Sequence, residues 1–349
     1  MTRRVARLAL VGAAVVLLAP WATAPAGAAD DPQVVCRFTD DRLTEISGIT
    51  WSAKHPGTYW VHNDSSGGPY LYAVDGTTCA TRARIRVAGI GARDLEAIAT
   101  GVDPAGKPVL WLGDIGDNRD SWPSVRLHAV PEPAQLVDQE VTATTYRFTY
   151  DDGAHNAESV IADPVAARVW VVSRQLAAGA VWSVPLSTTT VTTATRVGPV
   201  GGLVTDAAMS PDGTRYVIRD YVRASVHRAP VSAASLAAGS RVDLPGQLQG
   251  EAITFTADGT ALLVASEREG ELWRVALPDG LGSEPSPSAS ATPGPSGSGT
   301  TGPSGSASAG GDTSAASPGG AGPVRALLAG AALLGALGIG VLAARRLRH

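Results

Sequence analysis

The sequence predicts an all-β fold: a β-propeller of five four-stranded blades closed by the N-terminal strand. A disordered stalk and one C-terminal transmembrane helix follow it. Three observations predict the propeller. A short strand that opens on an acidic or small polar residue returns five times, at spacings of 49, 62, 48 and 45 residues. An apolar strand ending in polar residues follows each return, and then a strand with an aromatic residue or His at a fixed place. The stretch between the two ends of the chain, residues 30–281, has the length of five blades at ~50 residues each. A repeat of this period built from short strands is the mark of a propeller.

The first strands open at Ser47-Gly48-Ile49, Glu96-Ala97-Ile98, Glu158-Ser159-Val160, Asp206-Ala207-Ala208 and Glu251-Ala252-Ile253. The second strands are Trp60–Asp64, Trp111–Asp114, Trp170–Arg174, Tyr216–Asp220 and Leu263–Glu267, with Trp60, Trp111 and Trp170 as a core column. The third carry Tyr72, His128, Trp182, His227 and Trp273, so His128 and His227 read as packing residues. Fourth strands are expected at 84–87, 145–149, 195–198 and 241–244. The last blade stops at 275–277 without one. Gln33–Phe38 has the pattern to supply it, which would protect an edge that otherwise invites pairing with another chain. The 131–143 segment is long enough to hide a sixth blade, but its composition reads as a loop.

The ends of the chain carry targeting signals. Arg3, Arg4 and Arg7, the apolar run 8–19 and Ala26-Gly27-Ala28-Ala29 make residues 1–29 a secretory signal peptide. The Arg3-Arg4 pair raises a twin-arginine alternative. Residues 282–323, nearly all Ser, Gly, Pro, Ala and Thr, bury too little to fold and read as a stalk. Residues 324–344 read as a membrane helix, since Ala326–Ala344 is uncharged and long enough for a hydrocarbon core of ~30 Å. The tail 345–349 holds Arg345, Arg346 and Arg348, which places the C-terminus in the cytoplasm and the propeller outside. Outside the cytoplasm, Cys36 and Cys79 are expected to form a disulfide, with two buried thiols as the alternative.

Charge narrows the partners. The whole chain is at −4, the signal peptide holds three arginines and residues 323–349 four, with no acids in either, so the body between them is at −11. That excludes nucleic acid as a direct partner and suits cations or neutral ligands. A monomer is expected, and the membrane is met only through the C-terminal helix.

One mouth of the channel collects the polar ends. At the openings of the first strands stand Ser47, Glu96, Glu158, Asp206 and Glu251. Two residues earlier, on the same side of the strand, are Glu45, Asp94, Asn156, Val204 and Gln249. The second strands deliver Asp64, Asp114, Arg174, Arg219, Asp220 and Glu267. The second repeat departs after Asp114 with an added turn, Ile115-Gly116-Asp117-Asn118-Arg119, in the position of a binding loop. Converging carboxylates raise one another's pKa unless a cation or arginine intervenes. Oxygen ligands suit Ca²⁺ or Mg²⁺, with Ca²⁺ the expected cofactor and Glu96, Glu158, Asp206 and Glu251 the expected metal set. His62 and His155 stand near the same mouth as candidate bases. The structural alternative is that these acids cap turns and tie neighbouring blades through backbone N–H groups.

Arg93–Ala99, Leu110–Arg119, His128–Pro133, Ser47-Gly48-Ile49 with Trp60–Ser65, and Asn156–Ser159 together resemble a bacterial family of secreted propellers. That family is catalogued as WD40-like or as esterase-like activity of phytase. The resemblance covers the whole propeller and implies Ca²⁺-assisted phosphoester hydrolysis. With Lys54 and Lys107 as its only lysines, the chain would hold phosphate through Arg119, Arg174, Arg219 and Arg268. Two readings stand: a surface-displayed module that binds an extracellular small molecule, glycan or protein, and a metal-assisted hydrolase of phosphate or carboxylate esters. No G-x-S-x-G elbow is present.

The targeting signals make one prediction. Protease added to intact cells should shed the propeller. Protection until the membrane is broken would reverse the assigned orientation.

Overall fold

The computed structural model describes residues 31–64, 67–176, 179–278 and 280–281. The signal peptide, the stalk, the apolar 324–344 segment and the basic tail lie outside the described residues. Among those residues, no helix is long and apolar enough to cross a membrane.

The described chain is all-β apart from one five-residue helix. Strands follow one another as antiparallel meanders. The first comprises β2 (Ile46–Trp51), β3 (Thr58–Asn63), β4 (Tyr70–Asp75) and β5 (Thr81–Ala88). The second comprises β6 (Leu95–Val102), β7 (Pro108–Asp114), β8 (Val125–Pro131) and β10 (Thr144–Tyr150). Next come β11 (Ala157–Ala162), β12 (Val169–Ser173), β13 (Ala180–Val184) and β14 (Thr192–Pro199). Then follow β15 (Val204–Met209), β16 (Arg215–Asp220), β17 (Arg223–Arg228) and β18 (Ser240–Asp243), with α1 (Ala233–Ala237) before β18. The last run is β19 (Gly250–Phe255), β20 (Ala261–Ser266) and β21 (Glu271–Ala276).

The fourth strand of that last sheet is β1 (Gln33–Arg37). The sheet order is β1-β21-β20-β19, and β1 pairs antiparallel with β21, Gln33 opposite Arg274 and Arg37 opposite Glu271. The Arg37 guanidinium also meets the Glu271 carboxylate. Cys36 on β1 is bonded to Cys79, which is fully buried in the turn between β4 and β5, with the Cα atoms 5.7 Å apart. The N-terminal strand is thus paired to one meander and covalently tied to another.

The 131–143 segment departs from expectation. It contains a short strand, β9 (Gln139–Thr142), that lies parallel to β5 and extends the first sheet. A second parallel contact, β10 with β14, joins two meanders into one eight-stranded sheet.

Packing arranges the meanders side by side. β2 packs on β6, β6 on β11, β11 on β15, β15 on β19, and β19 back on β2. A separate apolar cluster fills each junction. Trp60, Ile98 and Leu112 share one, Trp111, Val160 and Trp182 another, and Ile49, Ala252 and Leu263 close the last meander on the first. Trp60 and Trp111 are wholly buried and Trp170 nearly so, as the core column requires. All five first strands start at the same end, so the loops before them and after the second strands form one rim.

A domain that starts at Thr44 lacks β1 and the disulfide. It should lose several kcal/mol out of a total of ~5–15 and expose the edge of β21, so we expect it to aggregate. A soluble truncation with unchanged melting temperature would refute the closure.

Candidate functional site

Each first strand opens on a bulge of one residue. Pairing runs from Ile46–Asn63 to Gly48–His62, and likewise in the other four meanders. Ser47, Glu96, Glu158, Thr205 and Glu251 are left out of the ladder. A bulge frees a side chain from the alternation of the strand and re-aims it. Ser47 and Thr205 use this to reach the next first strand. Ser47 Oγ donates to the Glu96 carbonyl at 3.1 Å, and Thr205 Oγ1 to the Glu251 carbonyl at 3.2 Å. The other three are nearly buried glutamates whose charges act on one another.

Asp206 is therefore not part of the acidic column. It stands one residue later. Its carboxylate accepts from Ala207 N at 2.8 Å and from Ile253 N of β19 at 2.7 Å, so it clasps two first strands. Both of its oxygens are thus engaged by backbone N–H groups. The whole fourth repeat is offset in the same way. Asp220, not Arg219, matches Asn63, Asp114, Ser173 and Ser266, the partners across the bulge. Leu203 rather than Val204 stands two residues before the bulge. Tyr221 takes the place held by Asp64, Arg174 and Glu267, and Ser225 rather than His227 falls opposite the second strand in the third-strand column.

Several other expected site residues are structural. Asp114 is fully buried and accepts from Arg93 N and Asp94 N, both at 2.9 Å. Burial works to raise its carboxyl, but the nearby His128 ring, those two N–H groups and the Arg93 charge outweigh it and leave it lowered. Asp117 folds the inserted turn, accepting from Ser121 N at 2.6 Å and Trp122 N at 2.5 Å. Asp220 does the same for the β16–β17 turn through Val222 N and Arg223 N. Arg219 is buried and donates to the Ala252 and Asp220 carbonyls and to Gln247. Burial drops its pKa to about 10, so it stays charged. Arg119 is exposed on the inserted turn.

Neither candidate base serves the mouth. His62 is completely buried against Gly48 and Ile98, its Nδ1–H donates to the Asn63 carbonyl, and burial lowers its pKa to about 4. His155 is held by Asp152 at 2.5 Å and by Gln175, and packs on Trp182. His128 and His227 are packing residues as expected. His128 bonds Thr145, and His227 stacks on Tyr216 at 4.8 Å.

What remains at the mouth divides into two halves. On one side, Asp64, Asp94 and Glu96 each place an oxygen within 4.8 Å of the others. Asp94 belongs to the row two residues before the bulges, and Asn118 of the inserted turn donates to its Oδ2 at 2.9 Å. Gly116 lets that turn pass, since a Cβ there would collide with Glu96 Oε1 and Asp94 Oδ2. Burial first, then the Glu158, Asp64 and Asp94 charges and a hydrogen bond with Glu158, push the Glu96 carboxyl far above the carboxylate range.

On the other side, Glu158 pairs with Arg174 at 2.9 Å and accepts from Asn156 Nδ2 at 3.1 Å. Arg174 also donates to the Tyr221 hydroxyl, which no column of acids pointed to. Glu251 accepts from Gln249 Nε2 at 3.2 Å. Burial and the Glu158 charge lift its carboxyl to about 8, against the pull of Arg174. The mouth therefore sets two glutamates whose carboxyls are pushed upward by burial, Glu96 and Glu251, around the Glu158–Arg174 pair.

No protein-family model matches the chain, and no curated protein matches it. Among solved structures the chain is similar to a luciferin-regenerating enzyme. The identity is 15% and the TM-score 0.41, over 68% of this chain and 79% of that one. A likeness that distant says nothing of chemistry. The propeller-like architecture rests on the strand pairing.

Glu251 holds its proton more tightly in the folded chain than in the unfolded one. Its contribution to stability is complete below the ordinary carboxylate range and is lost as pH rises through about 8. Without divalent cations, melting temperature should fall from pH 5 to pH 9. Glu251→Gln should flatten that fall by a few degrees. Identical slopes in the two proteins would contradict the protonated state.

Proposed function

We propose that the chain is a five-bladed, surface-displayed propeller that binds an extracellular ligand at its acidic mouth, with Ca²⁺ held by Asp64, Asp94 and Glu96. The observation that carries this is the convergence of those three carboxylates from two neighbouring meanders. Hard oxygen donors are what Ca²⁺ takes, and its charge would keep Glu96 ionised. The ring of first strands supports the count of five. Display at the surface is supported by the leader, the stalk composition and the apolar segment with its arginine tail. The ligand class is an extracellular small molecule, glycan or protein segment.

One observation favours the second reading, a Ca²⁺-assisted hydrolase of phosphate or carboxylate esters. Glu251, with a pKa of about 8, carries a proton at neutral pH beside Arg174, the arrangement of a general acid near an anion-binding group. Release of product from a phosphoester panel, dependent on Ca²⁺ and lost in Glu251→Gln, would establish it. No turnover with ligand binding retained leaves the binding module.

The cation is tested by melting. About a hundredfold excess of Ca²⁺ over its Kd should raise the melting temperature by roughly 5–10 °C, and chelator should remove the gain. Glu96→Gln should abolish the response. Asp206→Asn should lower the melting temperature but keep the response, because Asp206 binds backbone and not the site. Indifference to Ca²⁺ and chelator would overturn the metal and leave Arg174 as the counter-charge.

A further inference from the structure

The turn inserted after Asp114 does more than carry Asn118 to the mouth. With the connection between β10 and β11 it borders a half-open cavity of about 220 Å³. Asp117, Trp122, Ser124, Phe148, Tyr150 and His155 are among its walls, and no lysine or arginine lines it. The aromatic rings are organised around Tyr150, which meets Phe148 edge-on at 5.4 Å and His155 at 5.0 Å. Tyr150 is nearly buried, and its hydroxyl has no hydrogen-bond partner among the described residues.

Three carboxylates and one guanidinium, that of Arg93, surround this cavity. Asp117 and Asp120 both act on Tyr150, and Asp152 holds His155. The oxygen of Asp117 that accepts from Ser121 N and Trp122 N fixes its carboxylate in place beneath the rings. Trp122 already carries one cation: the Arg93 guanidinium lies 3.7 Å from its ring centroid. Aromatic walls in a negative field attract a cation whose own hydration is weak.

We propose that this cavity is a second binding site, separate from the mouth, for a small organic cation of the alkylated-ammonium class. Strongly hydrated metal ions do not suit it, because its walls offer rings and few free oxygens. A methylated ammonium loses little hydration on entering, and the ring quadrupoles and the aspartates replace it.

The test uses the purified full-length chain at constant ionic strength, with binding read from the ligand's own NMR signals. Tetramethylammonium is the probe and tert-butanol its neutral analogue of similar shape. Tetramethylammonium should saturate and bind at least about tenfold tighter than tert-butanol. Saturating Ca²⁺ should leave this binding in place, which separates it from the mouth. Trp122→Leu should weaken it roughly tenfold, and Trp122→Phe, which keeps a ring, by much less. Equal binding of the two probes, or preferential binding of a neutral methyl glycoside, would overturn the cationic class. Loss of binding with Ca²⁺, or equal affinity in Trp122→Leu and the unsubstituted chain, would move the cation to the mouth and overturn the site.

Discussion

Ser47, Glu96, Glu158, Thr205 and Glu251 each leave the strand ladder by one residue, and the chemistry of the mouth depends on that offset. In a regular strand, side chains alternate strictly between faces, and both faces of these first strands are packed against neighbours. A polar side chain at that place would have to be buried in a junction. The bulge releases it. Two of the five positions use a hydroxyl to bond the next strand, which closes the ring locally. The other three spend the freedom on carboxyl groups. The fold thus tolerates buried glutamates because the backbone has already stepped aside for them.

The two mouth arginines show how position divides similar residues. Arg174 follows its strand end and reaches Glu158 and Tyr221 from the rim. Arg219 lies one residue before its strand end and points inward, where carbonyl oxygens accept its hydrogen bonds. Of the two, Arg174 is the one partly exposed at the mouth, and Arg219 is buried. Gly250 enforces the distinction, because a Cβ there would collide with the Arg219 guanidinium.

Much of this was legible in the sequence. Strand order, the closing role of Gln33–Phe38 and three of the four column acids follow from spacing and period, and the disulfide from there being two cysteines outside the cytoplasm. The fourth repeat was misread by one residue for a chemical reason. Asp206 looks like the glutamates of the column, and Tyr216 looks like the tryptophans of the second strands, and both stand one place off. Structure aligns on the ladder instead, where Thr205 and Asp220 match. The small polar residues that end the second strands, Asn63, Asp114, Ser173, Asp220 and Ser266, contained the register. Tyr221 was missed as a direct result. The turn-forming tasks of Asp114 and Asp117 were illegible for another reason. A carboxylate that binds backbone N–H groups and one that waits for a ligand are the same letter, and only the three-dimensional placement of donors separates them.

The bond between Cys36 and Cys79 also decides how the ring carries force. Any tension on the chain beyond Leu281 enters the ring through β21. That strand is flanked by β20, its own predecessor, and by β1. Were β1 held by hydrogen bonds alone, a pull could carry β21 and β1 off together and open the ring at one seam. With β1 bonded covalently to the first meander, β21 must shear from both neighbours at once. A pull applied there is thereby shared between two strand pairs, β21 with β20 and β21 with β1.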